Sequence, residues 1–168
     1  MVQAARGGRP RVRAGLGSGA LAVAVLALAA GCSLFGGDDD GGTSVGVTDV
    51  AVGECYRAPA EVTAELTELE RVDCAEPHEQ EAYANLEATP GGEEPATYPG
   101  EAELKAFADG SCAEAFADYV GVDYRDSALY FTYLLPTARG WEAGDHEVTC
   151  FITTTGEQLT GSVQGTAA

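Results

Sequence analysis

The sequence predicts an α+β domain in which one main helix packs on a small antiparallel sheet and two disulfides hold the parts together. Three observations carry this prediction. Residues 101–120 repeat apolar side chains at every fourth position, Leu104, Ala108, Cys112, Phe116 and Val120, and Phe107 and Tyr119 widen the stripe. Two later runs are built of β formers, Leu129-Tyr130-Phe131-Thr132-Tyr133-Leu134 and the alternating Val148, Cys150 and Ile152. Four cysteines, Cys55, Cys74, Cys112 and Cys150, follow a leader with the features of an export signal.

Taken in order, residues 45–56 alternate loosely and give a short strand entering at Cys55. Residues 60–70 suit either a helix or a polar strand. Residues 81–88 set Ala82, Ala84 and Leu86 on one side with period two, which is a strand. Pro90, Gly91, Gly92, Pro95, Pro99 and Gly100 make residues 89–100 a loop. The main helix follows. Glu101 and Glu103 occupy its first turn, where the helix dipole favours carboxylates, and Gly121 sits where a C-cap belongs. Gly110 inside it is a point of bending or division. Residues 128–135 read as a central strand ended by Pro136, and Val148, Cys150 and Ile152 mark a second strong one. Gly156 then turns the chain into a weak last strand around residues 159–163.

Four cysteines allow three connectivities. Joining neighbours in sequence gives Cys55–Cys74 and Cys112–Cys150, with loop-closure stabilisation of about 3 and about 4 kcal/mol. The second bond would clamp the apolar stripe of the helix onto the strand of Cys150.

The leader divides the chain. Arg6, Arg9, Arg11 and Arg13 precede a weakly polar stretch, and Ala29-Ala30-Gly31 leads directly into Cys32. This is the order of a bacterial lipoprotein signal, with residues 1–31 removed and lipid carried on the Cys32 sulfur. Ala27-Leu28-Ala29 is a rival site for ordinary signal peptidase. Cysteine parity favours lipidation, because lipid on Cys32 leaves an even four to pair. Residues 32–44 form a lipidated, acidic, flexible tether, with Asp38-Asp39-Asp40 flanked by glycines. Residues 45–168 form one extracytoplasmic domain.

All 27 acidic residues lie after Cys32, and only Arg57, Arg71, Lys105, Arg125 and Arg139 remain as basic ones, so loss of the leader deepens the formal charge from −18 to about −22. Such a surface excludes nucleic acid as a partner and repels anionic headgroups. Membrane attachment must then come from the lipid.

Sequence motifs for catalysis are missing: there is no Gly-x-Ser-x-Gly, no Ser-x-x-Lys and no Gly-x-Gly-x-x-Gly after a strand. The chain reads as a non-enzyme without cofactor or metal. Cys74-x-x-x-His78 and His146-x-x-x-Cys150 resemble two halves of a zinc site, but an oxidising compartment and the orphaning of Cys55 and Cys112 weigh against it. His78 reads as a loop residue before a strand. The segment Arg139-Gly140-Trp141-Glu142-Ala143-Gly144-Asp145-His146 carries the only tryptophan between two strands. Trp141, Asp145 and His146 are its candidate contact residues, and the structural alternative is an indole folded back over the core.

Gly53-Glu54-Cys55 followed by Val72-Asp73-Cys74-Ala75-Glu76-Pro77-His78-Glu79-Gln80-Glu81 resembles the opening of the septum formation domain family. So do Tyr98-Pro99-Gly100 before the helix, Cys112, Phe116, Tyr119-Val120-Gly121, Pro136-Thr137, Trp141, Gly144-Asp145 and Cys150-Phe151. The resemblance covers roughly residues 45–162. It implies an actinobacterial envelope protein, a lipoprotein or one held by a single helix, with a part in septum formation during division. It brings no catalytic residues. The family usually has Arg after Gly-Asp where this chain has His146, a group that titrates near neutrality.

The expectation is therefore a lipid-anchored module on the extracytoplasmic face of the cell membrane, binding or scaffolding an envelope protein or a cell-wall polymer. The alternative is a cell-wall hydrolase, or a regulator of one, using unassigned acidic residues.

Overall fold

The computed structural model describes residues 41–59 and 66–168. The leader, Cys32 and most of the tether lie outside the described residues, as does the first half of the ambiguous 60–70 segment. Among the described residues no helix is long and apolar enough to cross a membrane.

Six strands form one antiparallel sheet: β1 (Thr43–Gly46), β2 (Cys55–Arg57), β3 (Glu68–Val72), β4 (Gln80–Glu87), β5 (Tyr130–Leu134) and β6 (Glu147–Thr153), in the order β1-β3-β2-β4-β6-β5. The main helix α1 (Glu101–Val120) crosses one face, against β4, β5 and β6. A short second helix, α2 (Ala138–Glu142), joins β5 to β6. The predicted architecture and both disulfides are present: Cys55–Cys74 and Cys112–Cys150 are bonded, with Cα atoms 5.2 and 5.8 Å apart.

Helix α1 is one uninterrupted element, so Gly110 neither bends nor divides it. Gly110 faces open space, and the buried stripe of Leu104, Ala108, Cys112, Phe116, Tyr119 and Val120 outweighs its propensity cost. Gly121 closes the helix in the left-handed region at φ 94°, and its N–H bonds the Ala117 carbonyl.

Strand period two sorts the sheet side chains. Val148, Cys150 and Ile152 face α1 with Tyr83, Ala84 and Leu129. Phe151, Ala82, Tyr56, Leu69 and Val50 form a smaller core on the other face. A bulge between Ala82 and Ala84 lets both Tyr83 and Ala84 turn toward the helix. The buried Tyr83 hydroxyl donates to the Cys112 carbonyl at 2.8 Å, beside the second disulfide.

Three expectations need correcting and one open reading is settled. β5 is an edge strand, not a central one; its apolar run is explained by Phe131 and Tyr133 packing under α1. Thr43 and Ser44 belong to β1, paired with Arg71 and Glu70, and not to the tether. The later half of the 60–70 segment enters β3. The weak last strand shrinks to one bridge between His78 and Leu159, and the tail beyond it is held by isolated backbone hydrogen bonds, from Gly165 N–H to the Tyr119 carbonyl and from Ala167 N–H to the Val120 carbonyl, and by the Glu81 carboxylate.

Candidate functional site

The sheet face away from α1 opens into a groove of about 810 Å³. Its apolar lining comes from Val47, Leu66, Leu134, Leu135 and Pro136. Pro136 ends β5 and turns the chain into α2, which Thr137 starts by accepting the Gly140 N–H on its hydroxyl oxygen at 3.0 Å. Gly144, at φ 96°, reverses the chain after α2 and delivers Asp145 and His146 to the groove.

Charge gathers at the β4–β6 end. Glu87 and Glu147 are direct cross-strand partners and Asp145 lies two residues before Glu147; all three line the groove. Like charges placed opposite each other in a sheet destabilise it. Glu147 responds: desolvation, with the nearby charges of Asp145 and Glu87, raises its pKa above the ordinary carboxylate value. Arg139 and His146 are the basic residues lining the same groove.

The structure divides the three candidate contact residues. The Trp141 indole is 4% exposed and lies in the main core, edge-on to Tyr98 with centroids 6.1 Å apart. Asp145 and His146 reach the groove. Asp145 also accepts the Glu147 N–H at 3.3 Å. One His146 face stacks on the indole at 4.2 Å between centroids, and its Nδ1 meets Glu94 at 2.7 Å. Glu87, Glu94 and Glu147 were not singled out by the sequence. Their meeting depends on the β4–β6 register and on the course of the 89–100 loop, neither of which leaves a local pattern.

Among the described residues two side-chain groups have donor atoms within 4.8 Å of one another, as a metal site needs: Glu87, Glu94 and His146, and Cys55, His78 and Glu81. The first would have to give up the proton that His146 Nδ1 shares with Glu94. In the second, the Cys55 sulfur is consumed by the disulfide, so no thiolate is available. The paired zinc halves are separated by the same chemistry, because Cys74 and Cys150 belong to different disulfides.

Glu81 and His78 are both fully buried. Three donors converge on the Glu81 carboxylate: the Tyr119 and Ser162 hydroxyls, both at 2.6 Å on Oε1, and the Val163 N–H at 2.8 Å on Oε2. His78 is more than a loop residue. Its backbone bonds Leu159 in both directions, and its Nδ1 lies 2.8 Å from the Glu76 carbonyl.

A family model described as septum formation matches residues 52–168. No curated protein and no solved structure matches the chain.

Proposed function

Because this chain belongs to the septum formation family, we propose that it is an extracytoplasmic binding module of the cell envelope, tethered by lipid on Cys32, that engages its partner at the division septum through the groove. The groove carries the reading. It combines an apolar lining with three carboxylates, Glu87, Asp145 and Glu147, of which the first two repel the charge on Glu147, a repulsion that a cation would relieve. A partner with amino or guanidinium groups on an apolar or extended stem has the matching chemistry. An envelope protein with a basic segment or an amine-bearing wall polymer qualifies, and the charge of the chain after Cys32 repels acidic alternatives.

The test is imaging of a C-terminally tagged copy in dividing cells of the source organism. Native protein is expected to concentrate at division sites. Cys32→Ala is expected to appear in the medium, and a Glu87→Lys, Glu147→Lys double variant to stay on the membrane but spread evenly. Native protein that is itself evenly spread overturns the septal reading, and a double variant that still concentrates overturns the groove.

A carboxyl-dependent hydrolase is the second reading, favoured by the raised Glu147 beside two other carboxylates. Glu147 is exposed at the groove, whereas a general acid at neutral pH needs a more enclosed site. Release of soluble fragments from purified wall by the native protein, abolished in Glu147→Gln, would decide for this reading.

A further inference from the structure

The two disulfides differ in what surrounds them. Cys112 and Cys150 are both fully buried beneath α1. In the other bond only Cys55 is fully buried. Cys74 is partly exposed and lines a surface depression of about 400 Å³ with Gly53, Arg71 and Asp73, whereas Cys55 borders the same depression without any exposed surface. A thiolate can therefore approach Cys74 from solvent, while Cys55 is shielded.

Behind Cys55 lies an unmet hydrogen-bonding group. His78 Nδ1 faces a carbonyl, which only accepts, so this nitrogen donates, and in the tautomer with its single proton on Nδ1 the Nε2 atom is an acceptor. Nε2 is buried and has no hydrogen-bond partner among the described residues. A ring nitrogen of His78, Cys55 Sγ and a Glu81 oxygen lie within 4.8 Å of one another. The three partners of Glu81 all donate to it, so its oxygens act there as acceptors. The oxidised Cys55 sulfur has none to give. Buried polar atoms left in this state are costly and call for an explanation.

We propose that Cys55–Cys74 is a thiol-exchange site, in which Cys74 is the sulfur attacked and His78 stabilises the released Cys55 thiol. The co-reactant is a thiol. Its thiolate attacks Cys74 Sγ, a new sulfur–sulfur bond forms there, and the Cys55–Cys74 bond breaks with its electron pair going to Cys55. The proton that the incoming thiol gave up ends on Cys55, whose S–H then donates to His78 Nε2. The orphaned nitrogen gains its partner only in the opened state. A second thiolate attacking the mixed disulfide at its outer sulfur completes the reduction, and the same steps in reverse restore the bond.

The test treats purified full-length protein, both disulfides formed and no denaturant present, with 2-mercaptoethanol at neutral pH, followed by alkylation and peptide mapping. The expected product carries mercaptoethanol on Cys74, an alkylated Cys55 and an intact Cys112–Cys150 bond. His78→Phe keeps a ring but removes the acceptor, and should open about tenfold less at the same thiol concentration, the worth of one buried hydrogen bond. Equal adducts on Cys55 and Cys74, or opening of both disulfides together, overturn the proposal, and so does a His78→Phe variant that opens as readily as native protein. If His78→Phe does not fold, the position of the adduct in native protein still decides. Repeating the reaction with a thioredoxin-type protein dithiol separates the two sources of thiol: reaction with mercaptoethanol alone assigns the site to small thiols, and reaction with both admits a protein partner.

Discussion

His146 lies flat against Trp141, with 23° between the ring planes, and its Nε2 is 3.0 Å from the Trp141 carbonyl while Nδ1 is 2.7 Å from Glu94. Both ring nitrogens thus face acceptors, and only the imidazolium has two protons to give. Stacking on the indole face favours the same charged form. Position 146 is thus filled by a group that is a cation only part of the time.

A pH dependence follows from this geometry. Desolvation pulls the His146 pKa down, but Glu94, the Trp141 carbonyl and Glu87 outweigh it, and the net pKa is raised above the ordinary value. A raised folded value means that the native state holds its proton more tightly than the unfolded state. The stability gained is complete below about pH 6.5 and is lost as pH rises through the folded value. Urea unfolding at a series of pH values from about 5 to about 9 should show this loss. His146→Arg should flatten it, since guanidinium keeps its charge throughout. A native profile that matches His146→Arg would remove the histidinium from the account.

The Glu87–Glu147 pair predicts an improvement on mutation. Partial desolvation and the charges of Asp145 and Glu87 raise the Glu147 pKa, so its ionisation at neutral pH opposes folding. The sign is opposite to that of a salt-bridged carboxylate: stability falls as pH rises from the unfolded to the folded value. Glu147→Gln should stabilise the domain at pH 7 by about 0.5 kcal/mol, as relief of one cross-strand repulsion, and the gain should vanish in acid. It should also weaken binding of a cationic partner. Thermal unfolding at neutral and acid pH measures the first effect. A destabilised Glu147→Gln would show that the carboxylate has a favourable partner.

How much of this was legible in the sequence depended on the range of the signal. Helix α1 was legible to both ends because its stripe, acidic first turn and Gly121 all lie within 21 residues. The alternation of Val148, Cys150 and Ile152 likewise marked β6. The edge position of β5 was hidden, since a strand under a helix is apolar whether it has one neighbour or two. Trp141 shows the same limit at the site: its Gly-rich neighbourhood suited a contact residue and its size suited an indole folded over the core, and packing on Tyr98 and His146 decides for the core. Glu81 was invisible as a special residue among 27 acidic ones, because its role depends on Tyr119, Ser162 and Val163, far along the chain.

That role is structural and can be measured. Glu81 ties the C-terminal tail and α1 to β4 by accepting three hydrogen bonds in a fully buried place. Glu81→Leu would leave two hydroxyls and one N–H without an acceptor and should cost about 3 kcal/mol or more. Glu81→Gln keeps the volume. Its carbonyl oxygen can serve both hydroxyls, but its amide nitrogen then confronts the Val163 N–H, a single mismatch worth about 1–2 kcal/mol. Urea midpoints should rank native above Gln and Gln above Leu. Equal losses for the two variants would mean that charge, and not the acceptor pattern, is what Glu81 supplies.

The disulfides offer a final comparison, since each closes a loop of different length. Cys112–Cys150 spans 38 residues and joins α1 to β6, whereas Cys55–Cys74 spans 19. Loop entropy alone assigns about 4 kcal/mol to the first and about 3 to the second. The burial of the two bonds widens the gap. Replacing Cys112 and Cys150 with Ala leaves a cavity between two fully buried positions in the main core. Replacing Cys55 and Cys74 empties one buried position and one partly exposed one. The Cys112→Ala, Cys150→Ala variant should therefore lose more than about 4 kcal/mol and the Cys55→Ala, Cys74→Ala variant close to 3. Chemical denaturation of both double variants measures the difference directly. A larger loss in the Cys55→Ala, Cys74→Ala variant would mean that the β2–β3 end, and not the helix–sheet junction, limits the stability of the domain.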